Sequence, residues 1–244
     1  MNPSQASETL FDFFGREVAL YTEFQRIFLK LENVNSGHDP KSLLVTSSTV
    51  QEGKSTIASF LAMAMSVFSN KPTLLIDGDM RKPTVSKLFK INPAPGLVEL
   101  LEGKVSLDQV IQPTPIQNLK VIASGEPTPL ADKLLVMSGF KEWLDRLKSI
   151  YAITIIDSPP IMILPDALSL NRVVDEVVLV VKAGVTPREV VKRTCNTLRD
   201  SGANIIGVVL NNINQSLPYY YNSKYYHYHY DYGKRKKVKD RPGK

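Results

Sequence analysis

Short apolar runs alternate with longer amphipathic ones along most of the chain. Ser42–Thr46 (SLLVT), Thr73–Ile76 (TLLI), Leu119–Ala123, Ala152–Ile156, Glu176–Val181 and Ile205–Leu210 are each four to six residues long and rich in Leu, Ile and Val. Strands with this pattern are buried on both faces. Between them lie runs with helical spacing at Ser55–Phe68, Leu130–Met137, Phe140–Ser149, Asp166–Val173 and Pro187–Ser201. A further helical pattern runs from Leu10 to about Glu32 through Phe13, Phe14, Ala19, Leu20, Phe24, Ile27, Phe28 and Leu31, and turn chemistry follows at Asn33–Pro40 (NVNSGHDP). Strands and helices in alternation predict an α/β fold, a mainly parallel sheet with helices on both faces. Ligands of such sheets bind at the carboxyl ends of the strands.

The expected organisation is an N-terminal helix and linker over 1–40, a nucleotide-binding domain over 41–216 and a tail over 217–244. The tail departs from the pattern. Eight of the ten tyrosines fall within fourteen residues there: Tyr219, Tyr220, Tyr221, Tyr225, Tyr226, Tyr228, Tyr230 and Tyr232. No Leu, Ile or Val lies among them, so no core-facing period exists, and a flexible segment displaying phenol hydroxyls is expected.

Charge sharpens this division. The net charge is +6, and the eleven residues from Lys234 to Lys244 hold seven basic side chains against Asp240 alone. The rest of the chain is therefore close to neutral, which argues against a domain coated for nucleic acid. The basic run suits anionic headgroups or an acidic partner. A lone cysteine, Cys195, excludes an internal disulfide and fits a reducing cytosol. No signal-peptide pattern opens the chain and no apolar run reaches about 20 residues, so a cytoplasmic protein is expected, recruited to the inner face of the plasma membrane through a partner or its surface.

The first strand runs into Ser48-Thr49-Val50-Gln51-Glu52-Gly53-Lys54-Ser55-Thr56. This matches the phosphate-loop template G-x-x-x-x-G-K-[ST] except at its first glycine, here Ser48. Backbone N–H groups and the helix N-terminus cradle phosphates in such a loop. Lys54 would reach the β- and γ-phosphates, and the Ser55 hydroxyl would ligate Mg²⁺. The second strand runs into Asp77-Gly78-Asp79-Met80-Arg81, where an extended end would point Asp77 and Asp79 the same way. The fourth predicted strand ends in Asp157-Ser158-Pro159-Pro160. Hard Mg²⁺ takes oxygen ligands, and acidic residues beside a phosphate loop supply them.

Together the three motifs resemble the P-loop tyrosine kinases of bacterial capsule and exopolysaccharide synthesis, in their stand-alone cytoplasmic form. Their Walker A loop, Walker A′ strand ending in Asp-x-Asp-x-Arg and Walker B strand ending in Asp-x-x-Pro correspond to the segments just quoted. The resemblance implies an ATP–Mg²⁺-dependent autokinase that phosphorylates its own tyrosine cluster. It assigns nucleotide binding to Glu52, Gly53, Lys54, Ser55, Thr56 and, at the adenine, Asn211. It gives the metal to Ser55, Asp79 and Asp157, the tyrosine proton to Asp77 and electrostatic support to Arg81. It further implies a homo-oligomer, a membrane-spanning activator (chain-length protein) on a separate chain, a cognate tyrosine phosphatase and no nucleic acid.

Two departures stand out. Family loops often read Pro-Gly where this chain has Val50-Gln51. The family's ring-forming helix motif Glu-x-x-Arg-x-x-Arg is incomplete, because Glu23 and Arg26 are followed by Leu29; the first two would then form a surface pair. The rival expectation is a partition or cell-division ATPase switch that binds DNA or membrane. Such proteins carry an extra lysine where this chain has Thr49. A tail that stacks on single-stranded nucleic acid, or binds a metal through His227 and His229, is a third reading.

Overall fold

The computed structural model describes residues 10, 14–15, 17–34, 40–137, 139–164 and 166–212. The tyrosine cluster Tyr219–Tyr232, the basic run and the two tail histidines lie outside the described residues. Seven strands form one sheet in the order β3-β4-β2-β5-β1-β6-β7. They are β1 Ser42–Ser47, β2 Thr73–Asp77, β3 Ile111–Pro113, β4 Leu119–Ile122, β5 Ile153–Asp157, β6 Glu176–Lys182 and β7 Ile205–Asn211. Every neighbouring pair is parallel except β3 with β4. The short antiparallel β3 is absent from the sequence expectation. Its three residues, one of them proline, are half-buried or exposed at the sheet edge and show no apolar run. The fourth strand expected from sequence is therefore the fifth observed.

Alternation along each strand shows how both faces are filled. Leu44, Leu74, Ile76, Ile156, Leu179 and Val181 face one cluster, while Leu43, Val45, Leu75, Ile155, Val178 and Val180 face the other. The second cluster is covered by α1 Val18–Val34, α2 Lys54–Ser69 and α3 Val85–Phe89. The first is covered by α4 Leu97–Leu101, α5 Leu107–Val110, α6 Ala131–Met137, α7 Phe140–Ile150, α8 Asp166–Asn171 and α9 Arg188–Asp200. Period-2 burial on two layers explains why the strands read as unbroken apolar runs.

The expected helix over Leu10–Glu32 is interrupted: Glu17 is not helical and α1 begins at Val18. Gly15, just upstream, weakens a helix there. Phe24 and Leu31 of α1 nevertheless join the core of the sheet, and Phe14 stacks on Phe60 at 5.5 Å. On the outer side of α1, Arg26 pairs with Glu23 at 2.6 Å and Leu29 is exposed.

At the amino edge one carboxylate fixes the start of two strands. Asp175, just before β6, accepts the N–H groups of Lys41 and Ser42 (both 2.9 Å) and the Ser42 hydroxyl, and pairs with Lys148 at 2.8 Å. Burial alone would raise this carboxyl, but Lys148, Ser42 and Lys41 hold it below the usual range. Asp175→Asn is expected to destabilise the fold by ~1–2 kcal/mol. Urea denaturation at neutral pH checks this, with the deficit shrinking in acid as the native carboxylate takes up its proton.

Candidate functional site

At the carboxyl edge β1 gives way to the phosphate loop and α2. Gly53 takes a left-handed conformation (φ 89°) as the N-cap of α2, with no side chain capping the helix. The first N–H groups of a helix have no intrahelical acceptor, so an uncapped start is available to phosphate oxygens. The left-handed backbone favours glycine here, and a Cβ would also come within 2.2 Å of the Asn211 amide nitrogen and push that side chain aside.

Both sequence departures in the loop are accommodated locally. Ser48, in place of the first template glycine, is fully buried, and its hydroxyl accepts a hydrogen bond from Thr194 of α9 at 2.9 Å. Gln51 stands where family loops carry glycine and adopts φ 61°, a region that disfavours side chains.

Lys54 leaves the first turn of α2 and meets Asp79 at 2.9 Å and Asp157 at 3.8 Å, with its Nζ 3.3 Å from the Ser55 hydroxyl. Burial pulls its pKa down, yet Asp157 and then Asp79 hold it above its ordinary value. Asp77 and Asp157 are register partners on the adjacent parallel strands β2 and β5. Both carboxyls are raised, chiefly by their own burial. Asp77 is pushed up to about 7 by burial first and then by Asp157. Asp157 is pushed up to about 6 by burial, against the pull of Lys54.

The two carboxylates of the Walker A′ segment do not serve one partner. Strand β2 ends at Asp77, so the expected strand alternation does not continue to Asp79. Asp77 accepts the N–H groups of Thr84 and Val85 on Oδ2 and that of Asp79 on Oδ1, which fixes the start of α3. Asp79 accepts Lys54 on one oxygen and the Lys82 N–H on the other. Gly78 between them donates to the Asp157 carbonyl at 2.8 Å, and a Cβ there would fall 2.7 Å from that same oxygen.

Neither carboxylate oxygen of Asp157 has a hydrogen-bond partner, although the residue is fully buried. Lys54 at 3.8 Å is too far for a hydrogen bond, so a buried carboxylate here gains from a further cation. Ser55, Asp79 and Asp157 offer hard oxygen atoms around it, a fit for Mg²⁺, which needs only one or two carboxylates beside phosphates and waters. Among the described residues no group of three or more His, Cys, Asp or Glu is placed to hold a metal on its own. Thr56 lies half-buried in the first turn of α2.

Three residues occupy places that the sequence did not reveal. Arg81 is held by Asp166 in a two-pronged contact (2.7 and 3.2 Å) and by Asp132 at 3.4 Å. Asp166 reads in sequence as an ordinary helix start, and only the fold brings it to Arg81. Glu52 is buried, and its carboxylate receives Thr49, Lys182 and Thr186. Asn211 ends β7 and donates to the Glu52 carbonyl at 2.9 Å.

The family described as AAA domain matches residues 51–204. The putative tyrosine-protein kinase CapB of Staphylococcus aureus is 34% identical over 193 residues, covering 79% of this chain and 82% of that protein. Tyrosine-protein kinase CpsD of Streptococcus agalactiae is 35% identical over 186 residues, covering 76% and 81%. The crystal structure of the chimerical protein CapA2B2 superposes with a TM-score of 0.75 at 31% identity, covering 80% of this chain and 85% of that one.

Two outcomes follow from the crowded carboxylates. Because the native Asp157 carboxyl is raised, the nucleotide-free protein loses stability as pH climbs through about 6. Asp157→Asn is expected to stabilise it by ~1–3 kcal/mol at pH 8 and by almost nothing near pH 4, measured by thermal unfolding. Gly78→Ala is expected to cost ~1–3 kcal/mol by driving β2 from β5 and to lower ATP turnover at least about tenfold, since the clash is with backbone and displaces Asp77 and Asp79 together.

Proposed function

The chain belongs to the bacterial tyrosine kinases, a P-loop family with an AAA-type domain, and on that premise we propose that it is an ATP–Mg²⁺-dependent autokinase whose substrate is the tyrosine cluster of its own kind. The observation that carries this reading is the convergence of Asp79 and the buried Asp157, whose oxygens accept no hydrogen bond, on Lys54 at an uncapped helix start. ATP with Mg²⁺ would supply the phosphoryl group and the charge that such a pocket lacks.

Phosphoryl transfer asks little covalent help of a protein; positioning and charge stabilisation do most of the work. Lys54 would hold the β- and γ-phosphate oxygens, and the first-turn N–H groups of α2 would share them. Ser55, Asp79 and Asp157 would hold the metal, directly or through water, and the metal would supply positive charge beside the phosphates. Asp77, raised to about 7, suits a group that takes a proton near neutral pH. Its Oδ1 carries one N–H bond, at 3.2 Å, and is the freer oxygen. The tyrosine oxygen forms its bond to phosphorus as the bond to the ADP leaving group breaks, and the phenol proton passes to Asp77. Arg81, anchored by Asp166 and Asp132, steadies the Walker A′ segment beside the phosphates, and Asn211 borders the adenine.

The acceptors are Tyr219, Tyr220, Tyr221, Tyr225, Tyr226, Tyr228, Tyr230 and Tyr232, presented by a neighbouring copy in a homo-oligomer. Each phosphate adds about −1.5 to −2 charges, so several offset the adjacent basic run and loosen the assembly by repulsion. The cycle regulates capsular or exopolysaccharide synthesis and export, and a tyrosine phosphatase resets it. Among the described residues no helix is long and apolar enough to cross a membrane. A membrane-spanning activator on another chain would bring the kinase to the inner membrane face. Thr49, where ATPase switches carry a lysine, speaks against the partition-type reading.

Incubation with ATP and Mg²⁺ followed by mass spectrometry is expected to find phosphotyrosine within 219–232, and at least about 100-fold less in Lys54→Met. Unmodified tyrosines, or equal labelling in that variant, would sink the proposal.

A further inference from the structure

An acidic residue directly before Gly53-Lys54 is a liability in a loop that must receive phosphate, since its charge would repel the ligand. Glu52 escapes this by folding inward. It is 2% exposed. Oε2 accepts the Thr49 N–H at 2.7 Å, while Oε1 accepts the Lys182 N–H at 3.4 Å and the Thr186 hydroxyl. Its carbonyl accepts the Asn211 amide at 2.9 Å, and the Ala183 N–H donates to the Asn211 carbonyl at 2.9 Å. The Glu52 side chain thus ties the start of the phosphate loop to the end of β6 and the turn that enters α9, while its main-chain carbonyl, through Asn211, adds the end of β7.

We infer that Glu52 and Thr186 form a positioning pair that sets the shape of the phosphate loop and thereby nucleotide affinity, without either side chain touching the nucleotide. The loop needs such a brace because it lacks two glycines: Ser48 replaces the first of the template, and Gln51 holds a left-handed conformation where the family has glycine. The Thr49 N–H is spent on Glu52 and is not available to a phosphate, and the brace fixes the course of the loop backbone that follows. The carboxylate is chemically required. Both of its oxygens accept from backbone N–H groups, so in Glu52→Gln the amide NH₂ must face one of those donors. Thr186→Val keeps the shape of the side chain and removes only the hydroxyl.

The test uses the full chain and titration with a fluorescent ATP analogue in Mg²⁺, with thermal unfolding beside it. The inference, which rests on the nucleotide reading above, predicts a Kd raised about tenfold or more in Glu52→Gln and in Thr186→Val, with the double variant no weaker than the weaker single. Thr186→Ser, which restores a hydroxyl, is expected to recover affinity to within about threefold of wild type. Wild-type affinity in both single variants, independent effects that multiply, or a Thr186→Ser variant as weak as Thr186→Val overturns the positioning pair. Wild-type chain that binds no nucleotide at all overturns the nucleotide reading as well, so the two failures are distinguishable.

Discussion

One buried ammonium facing three carboxylates governs the carboxyl edge of this sheet. Lys54 lies 2.9 Å from Asp79 and 3.8 Å from Asp157, and Asp77 stands in register beside Asp157 on the next strand. Such a cluster holds more negative charge than it neutralises, and burial removes the water that would screen it. A hydrophobic replacement would favour folding. The arrangement makes sense as a site prepared in advance for a charged ligand: the Asp157 oxygens make no hydrogen bond, and Asp79 and Asp157 hold the Lys54 ammonium at the start of α2.

The remaining structure serves to keep those groups at fixed distances. Parallel pairing of β2 with β5 sets Asp77 against Asp157. Gly78 lets the two strand ends approach until its N–H reaches the Asp157 carbonyl. The segment after Asp157 is bound back to β1, with Ser158 N–H on the Val45 carbonyl and Ile161 N–H on that of Ser47. The Thr46 hydroxyl adds a bond to the Pro159 carbonyl at 3.0 Å. Asp166 holds Arg81 from the other side. Three motifs that are remote in sequence thereby become one rigid edge.

Polar side chains near the site divide the work in ways that residue type alone does not reveal. Asp77 is both a raised carboxyl in the pocket and the acceptor that starts α3. Glu52 sits in the binding loop yet turns its charge toward β6 and α9. Asn211 offers an amide to the loop backbone beside Gly53, where the left-handed conformation already disfavours a side chain.

The sequence by itself determined the alternating α/β plan, the strand centres, the phosphate loop and the aspartates at strand ends. Those features depend on local periodicity and on neighbours within a few residues, and a one-dimensional pattern carries them. It missed β3, whose three residues have no apolar period and pair only because β4 is beside them. It also extended the Walker A′ strand past Asp77, where the chain already turns. Tertiary structure alone decided that Arg81 meets Asp166 across 85 positions, that Thr194 fills the place beside Ser48 across 146, and that Glu52 finds Thr186 across 134. Each of these contacts depends on which strands lie next to one another. Strand order is set by the packing of both sheet faces at once, and no single stretch of the chain encodes it.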